Sequence, residues 1–129
     1  MFYRPLGSTG LKVSVLSYGA SPLGNAFRTI DDAEGIRTVR TALDLGINFL
    51  DTSPHYGATK SETVLGRALQ GVPRDSYYLA TKVGQYGEGN FDFSAARVTQ
   101  SFNESCTRLG TDYIDVLHCH DIEFANLDQ

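Results

Sequence analysis

The feature that most constrains this chain is a rhythm: short β-rich runs recur about every 30 residues, and a helical pattern fills each gap. The runs are Val15 to Tyr18, Ile47 to Leu50, Tyr77 to Lys82 and Tyr113 to Cys119. In the first gap Ile36, Val39 and Leu43 recur at helical spacing behind the acidic pair Asp31-Asp32, and Gly46 stands where a C-cap glycine belongs. In the second, Val64, Leu65, Ala68 and Leu69 share one face of Ser61 to Leu69, and Pro73 ends the stretch. In the third, Val98, Phe102, Cys106 and Leu109 form an apolar stripe that Ser94 caps and Gly110 closes. Strand and helix in alternation specify a parallel sheet with crossover helices. A doubly wound sheet and an α/β barrel share this period, but a barrel needs eight units in about 250 residues. Four fit in 129 residues. Ahead of the repeat, Gly7-Ser8-Thr9-Gly10 between Tyr3 to Leu6 and Leu11 to Val15 reads as a hairpin whose turn uses glycine at positive φ.

The polar residues fall at the ends of these strands. Asp51 follows the second, Lys82 the third, and His118 and His120 the fourth. In parallel α/β architectures the loops at the carboxyl ends of strands form the site, so these groups should converge on one face. Singly, each has a plainer role: a loop cap, a solvated charge, a satisfied core histidine. Tyr56, in Pro54-His55-Tyr56-Gly57, adds a phenol to the same rim. A phenol ordinarily titrates near 10, so proton transfer around neutrality needs a nearby cation. An ammonium about 4 Å away at an effective dielectric of about 20 is worth about 4 kcal/mol, or at most roughly three pKa units. Lys82 can supply that charge, Asp51 can hold Lys82, and an imidazole can orient a substrate oxygen.

Composition narrows the partners. Eleven Lys and Arg against fifteen Asp and Glu, interspersed, give a net charge of -4, which disfavours a nucleic-acid or membrane-surface role. No apolar run approaches the roughly 20 residues of a bilayer span, and Met-Phe-Tyr-Arg-Pro lacks a signal-peptide pattern, so the expected location is cytoplasmic. Two irregularly placed cysteines, Cys106 and Cys119, read as free thiols. Gly84-Gln85-Tyr86-Gly87-Glu88-Gly89 is not G-x-G-x-x-G, and Thr59-Lys60-Ser61 lacks the glycine of a phosphate loop.

The run Gly46-Ile47-Asn48-Phe49-Leu50-Asp51-Thr52-Ser53-Pro54-His55-Tyr56-Gly57, with Ser61-Glu62 and Leu65-Gly66 downstream, resembles the aldo-keto reductase family along the full chain. The resemblance implies the N-terminal half of a (β/α)8 barrel, with residues 1–129 as about four βα units behind a short hairpin. It implies a catalytic tetrad of Asp51, Tyr56, Lys82 and His120. His120 is preferred to His118 because it stands five residues after Asp115, as the family's histidine does after its aspartate. Gly19 to Gly24, Phe91 to Ser94 and His118 to Phe124 look like family members that oxidise a sugar. That implies oxidation of an aldose of the L-galactose type at C1 to the aldonolactone, with NAD (or NADP) as cofactor and Tyr56 as general acid/base. Most nucleotide contacts in the family come from the second half of the barrel, so no cofactor-binding residue is assigned and weak or no NAD binding is expected.

Two other readings stay open. A half barrel exposes sheet edges, so the chain could be a fragment, a truncated product or a self-associating half, or a non-catalytic partner of a full-length relative. Alternatively His118 and His120, two apart on a strand, could join Asp51 and His55 in a metal-dependent hydrolase. That reading gives Tyr56 and Lys82 no required task, and the preferred site holds no metal.

Overall fold

A computed structural model describes residues 1–124; the end of the expected 1–129 unit lies outside them. β1 (Tyr3–Pro5) and β2 (Lys12–Ser14) form the antiparallel hairpin, turned at Gly7 and Gly10 with φ of 54° and 81°. Asn48 fastens it to the sheet. Its side chain accepts from Ser14 N–H at 2.7 Å and donates to the Lys12 carbonyl at 3.0 Å.

After the hairpin the repeat runs β3 (Tyr18–Gly19), α1 (Asp32–Asp44), β4 (Phe49–Asp51), α2 (Lys60–Leu69), β5 (Tyr78–Val83), a second hairpin of β6 (Gln85–Gly87) and β7 (Asn90–Phe91), α3 (Ala95–Leu109) and β8 (Val116–Cys119). The four repeat strands pair in the order β3-β4-β5-β8, all parallel. This is the first half of a (β/α)8 barrel, each strand delivering its C-terminal end to the same rim. Asp51 lies beside Gly19 and Ala80 in register, and Lys82 beside His118.

The core lies between sheet and helices. Leu50, Leu79, Val39, Val64, Leu65 and Leu109 are all buried, each such side chain contributing about 1.5–3 kcal/mol on leaving water. Ser94 Oγ caps α3 by accepting from Arg97 N–H, and Gly110 ends it in the left-handed region at φ 68°. Between α2, α3 and β5, the fully buried Glu62 accepts from Thr81 Oγ1 at 2.6 Å and from Arg108 Nε at 2.7 Å. Among the described residues no helix is long and apolar enough to cross a membrane.

The glycine-rich stretch after β5 is the β6–β7 hairpin. Tyr86 holds it, accepting from Gly84 N–H at 3.0 Å while its ring lies 3.7 Å from the Arg97 guanidinium. The fully buried face of α3 is Ser101, Ser105 and Leu109, while Val98, Phe102 and Cys106 are only half-buried. At the C-terminal end of this face α2 comes close, since a Cβ at Gly66 would meet the Arg108 and Leu109 backbone. Finally, the first and last strands are shorter than their apolar runs. Val15 and Leu16 are exposed, and Arg74 pins the residues before β8 by donating to the Tyr113 carbonyl and Asp115 Oδ2.

Candidate active site

Asp51 ends β4 and Lys82 is the penultimate residue of β5, so adjacent strands present an acid and a base to each other. The Lys82 ammonium donates to Asp51 Oδ1 at 2.9 Å, Asp51 Oδ2 at 2.7 Å and the Thr52 carbonyl at 2.8 Å. Three protons meet three acceptors, so the ammonium is held without freedom to turn. Its side chain is 13% exposed against 30% for Asp51, a setting in which the pair is screened less than on an open surface. Behind it Ser61 Oγ donates to the Ala20 carbonyl at 2.7 Å, which leaves Thr52 Oγ1 as the donor in its 2.9 Å contact with Ser61.

Tyr56 rides on the turn between β4 and α2. Gly57 in this turn has φ 63°, and any Cβ there would strike the Gly24 backbone; a Cβ at Gly24 would in turn lie 2.6 Å from the Tyr56 carbonyl carbon. Both positions therefore require glycine. The contact places the phenol ring beside the cation, with Lys82 Nζ 4.8 Å from the ring centroid. Because the ammonium's protons go to Asp51 and Thr52, it acts on the ring through its charge. The Tyr56 hydroxyl has no hydrogen-bond partner among the described residues.

His120 follows β8, and its N–H prolongs the sheet by donating to the Val83 carbonyl at 2.9 Å. Its ring stands perpendicular to Tyr56, centroids 5.7 Å apart, and edge-on to His55 at 5.6 Å. Nδ1 lies 3.0 Å from Ser53 Oγ. Burial lowers the His120 pKa below its ordinary 6.5, and the Lys82 and His55 charges push the same way against Asp121 and Asp51. The imidazole is therefore neutral at neutral pH. Asp121, the next residue, takes a left-handed φ of 48°, a strained conformation of the kind that clusters at functional sites.

The four residues singled out from the sequence thus meet on one rim. His118 does not join them, being exposed on β8, and among the described residues no three His, Cys, Asp and Glu side chains gather as a metal site. Sequence reading passed over one neighbour, Ser53, fully buried; His55, weighed there only as a metal ligand, has its Nδ1 buried without a partner among the described residues. Ser53 lies past the end of β4 at Asp51, beside a proline, where no local period marks it. A cavity of about 880 Å³ between α2 and α3 is lined by Gly66, Arg67 and Arg108 and touches none of the four.

A strand-end carboxylate–ammonium pair, a phenol and a neutral imidazole on a parallel barrel rim define a class, and comparison with known families agrees. The aldo/keto reductase family pattern matches residues 15–127, and the chain belongs to that family. Over 128 residues it is 58% identical to L-galactose dehydrogenase of Arabidopsis thaliana, covering 98% of this chain and 40% of the relative. It is 36% identical to D-threo-aldose 1-dehydrogenase of a Pseudomonas species, covering 94% and 44%. The holo form of an aldo-keto reductase from Bacillus halodurans superposes with a TM-score of 0.79 at 38% identity, covering 91% and 39%. The chain thus spans less than half the length of these relatives.

Proposed function

We propose that this chain carries the proton-transfer half of an NAD(P)-dependent dehydrogenase that oxidises an aldose of the L-galactose type at C1 to the aldonolactone. The observation that carries the proposal is the meeting of Asp51, Lys82, Tyr56 and His120 with the Tyr56 hydroxyl left unengaged. Tyr56 takes the proton of the anomeric hydroxyl as general base and returns it as acid in the reverse direction. Lys82 holds positive charge beside the phenol, and Asp51 fixes Lys82. His120, uncharged, orients the reacting oxygen by hydrogen bonding and adds no second cation. Acid-base help of this kind contributes about 10² to 10⁴ in rate.

None of the four side chains can accept a hydride, so the donor set fits a reaction whose redox partner is a bound nicotinamide. When bound, NAD, or NADP in its place, supplies that hydride acceptor. The similarity to sugar dehydrogenases of plant and bacterial origin supports the aldose. Dispersed charge and two free cysteines support a cytoplasmic setting with a small-molecule substrate and no nucleic-acid or membrane partner. Residues 1–129 are taken as one partial barrel, and its open sheet edges could let it self-associate.

The test follows NADH absorbance with L-galactose and other aldoses, using the chain alone and mixed with the C-terminal segment of the Arabidopsis relative. Aldose-dependent NADH formation by the assembled barrel, lost in Tyr56→Phe, is the expected result. An assembled barrel that oxidises no aldose, or one indifferent to Tyr56→Phe, overturns the proposal.

A further inference from the structure

The fully buried Ser53 hydroxyl lies against the His120 ring, and its hydrogen bonds can be accounted for among the described residues. Ser53 Oγ accepts from the His55 backbone N–H at 3.1 Å and lies 3.0 Å from His120 Nδ1. No other partner exists for it among the described residues. A hydroxyl has one proton to give. If Nδ1 carried a proton it would donate to Oγ, and the Ser53 proton would then have no acceptor in a buried setting. The arrangement that satisfies every group has Ser53 O–H donating to an unprotonated Nδ1.

We infer that Ser53 is a positioning residue that fixes His120 as the tautomer with its proton on Nε2, leaving that N–H as the donor available to a substrate oxygen. The assignment rests on the dehydrogenase reading for its purpose but not for its geometry. Nδ1 cannot serve the substrate while Ser53 occupies it, so the other ring nitrogen must. The surroundings favour the same neutral form. The Lys82 and His55 charges disfavour a cation on the ring, Tyr56 packs against it, and Asp121 and Asp51 bring the opposing negative charge among the described residues. Sequence alone hides this, because serine at this place reads as one more loop residue beside proline.

The experiment is two-bond ¹⁵N–¹H correlation NMR of the histidine rings in the 129-residue chain. Only three histidines are present, and His120→Gln assigns the signal. The expected wild-type pattern near neutral pH has a protonated Nε2 and an unprotonated, hydrogen-bonded Nδ1. Ser53→Ala moves the Nδ1 resonance toward that of a free acceptor or of a tautomer mixture, and Ser53→Thr, which retains a hydroxyl, restores the wild-type pattern. A wild-type ring protonated on Nδ1 overturns the inference and needs no variant to show it. So does a folded Ser53→Ala chain with unchanged His120 nitrogen shifts. The readout needs no turnover: failure of the dehydrogenase assay leaves it standing, and a wrong tautomer leaves the assay standing.

Discussion

Replacing Gly66 with alanine sets two pieces of physical chemistry against each other. Gly66 lies inside α2, where glycine costs about 0.8–1.0 kcal/mol relative to alanine, so propensity alone says the change stabilises. The structure says the opposite. A Cβ at Gly66 would run into the carbonyl oxygen of Arg108 and sit 3.0 Å from Leu109 Cα and 3.1 Å from the Arg108 carbonyl carbon. Carbon pairs prefer about 3.5–4.0 Å, so α2 and α3 must part by roughly 0.5–1 Å, a gap that forfeits about a quarter to a half of each contact across the seam. The obstacle is backbone, which no rotamer change relieves. Overpacking of this sort costs about 1–3 kcal/mol and occasionally more. A clash with backbone puts the cost at the upper end, about 3 kcal/mol; with the propensity gain subtracted, the net loss is about 2 kcal/mol, a fall in Tm of roughly 6–12 °C for a domain of this size. Thermal denaturation followed by circular dichroism measures it. A Gly66→Ala chain melting at or above the parent temperature would refute the reasoning, since the helices would then have room the geometry denies them.

Other consequences follow from the site and its supports. Tyr56→Phe in the assembled barrel should lower kcat by about 10² to 10⁴ while leaving the dissociation constant for the nucleotide nearly unchanged, as read by fluorescence titration. Glu62→Gln keeps an acceptor for Thr81 but removes the countercharge of Arg108, and chemical denaturation should show a loss of about 1.5–3 kcal/mol. His120 has a folded pKa below 6.5, so between that value and the folded one the unfolded chain binds more protons. Stability should therefore fall as pH drops below about 6.5 and level off below the folded pKa; in His120→Gln this component of the pH dependence should vanish in denaturant titrations.

Much of the fold was legible because it is written in period and punctuation. Ile36, Val39 and Leu43 mark α1, Ser94 and Gly110 bracket α3, and strand-end placement alone gathers Asp51, Lys82 and a histidine near one rim. What stayed hidden depends on contacts distant in sequence. That Arg74 would hold the Tyr113 carbonyl and Asp115, and so delay β8, is a pairing across about 40 positions that no local pattern announces. The apolar stripe of α3 does not announce that Ser101 and Ser105 are the residues fully buried beside Leu109, nor does anything near it in sequence betray the close approach at Gly66. Choosing between His118 and His120 likewise needed family spacing, since both are histidines of one strand end, and only the fold sets one against Tyr56.

The mutual seat of Gly24 and Gly57 reaches beyond the turn it shapes. Since each residue's missing side chain is the space the other's backbone fills, the segment after β3 and the phenol-bearing turn behave as one casting. A change to the first segment is free at Phe27, which stands in solvent. At Gly24 even one added methyl would tilt the tyrosine off its cation, so a change made on one loop would be felt on the next.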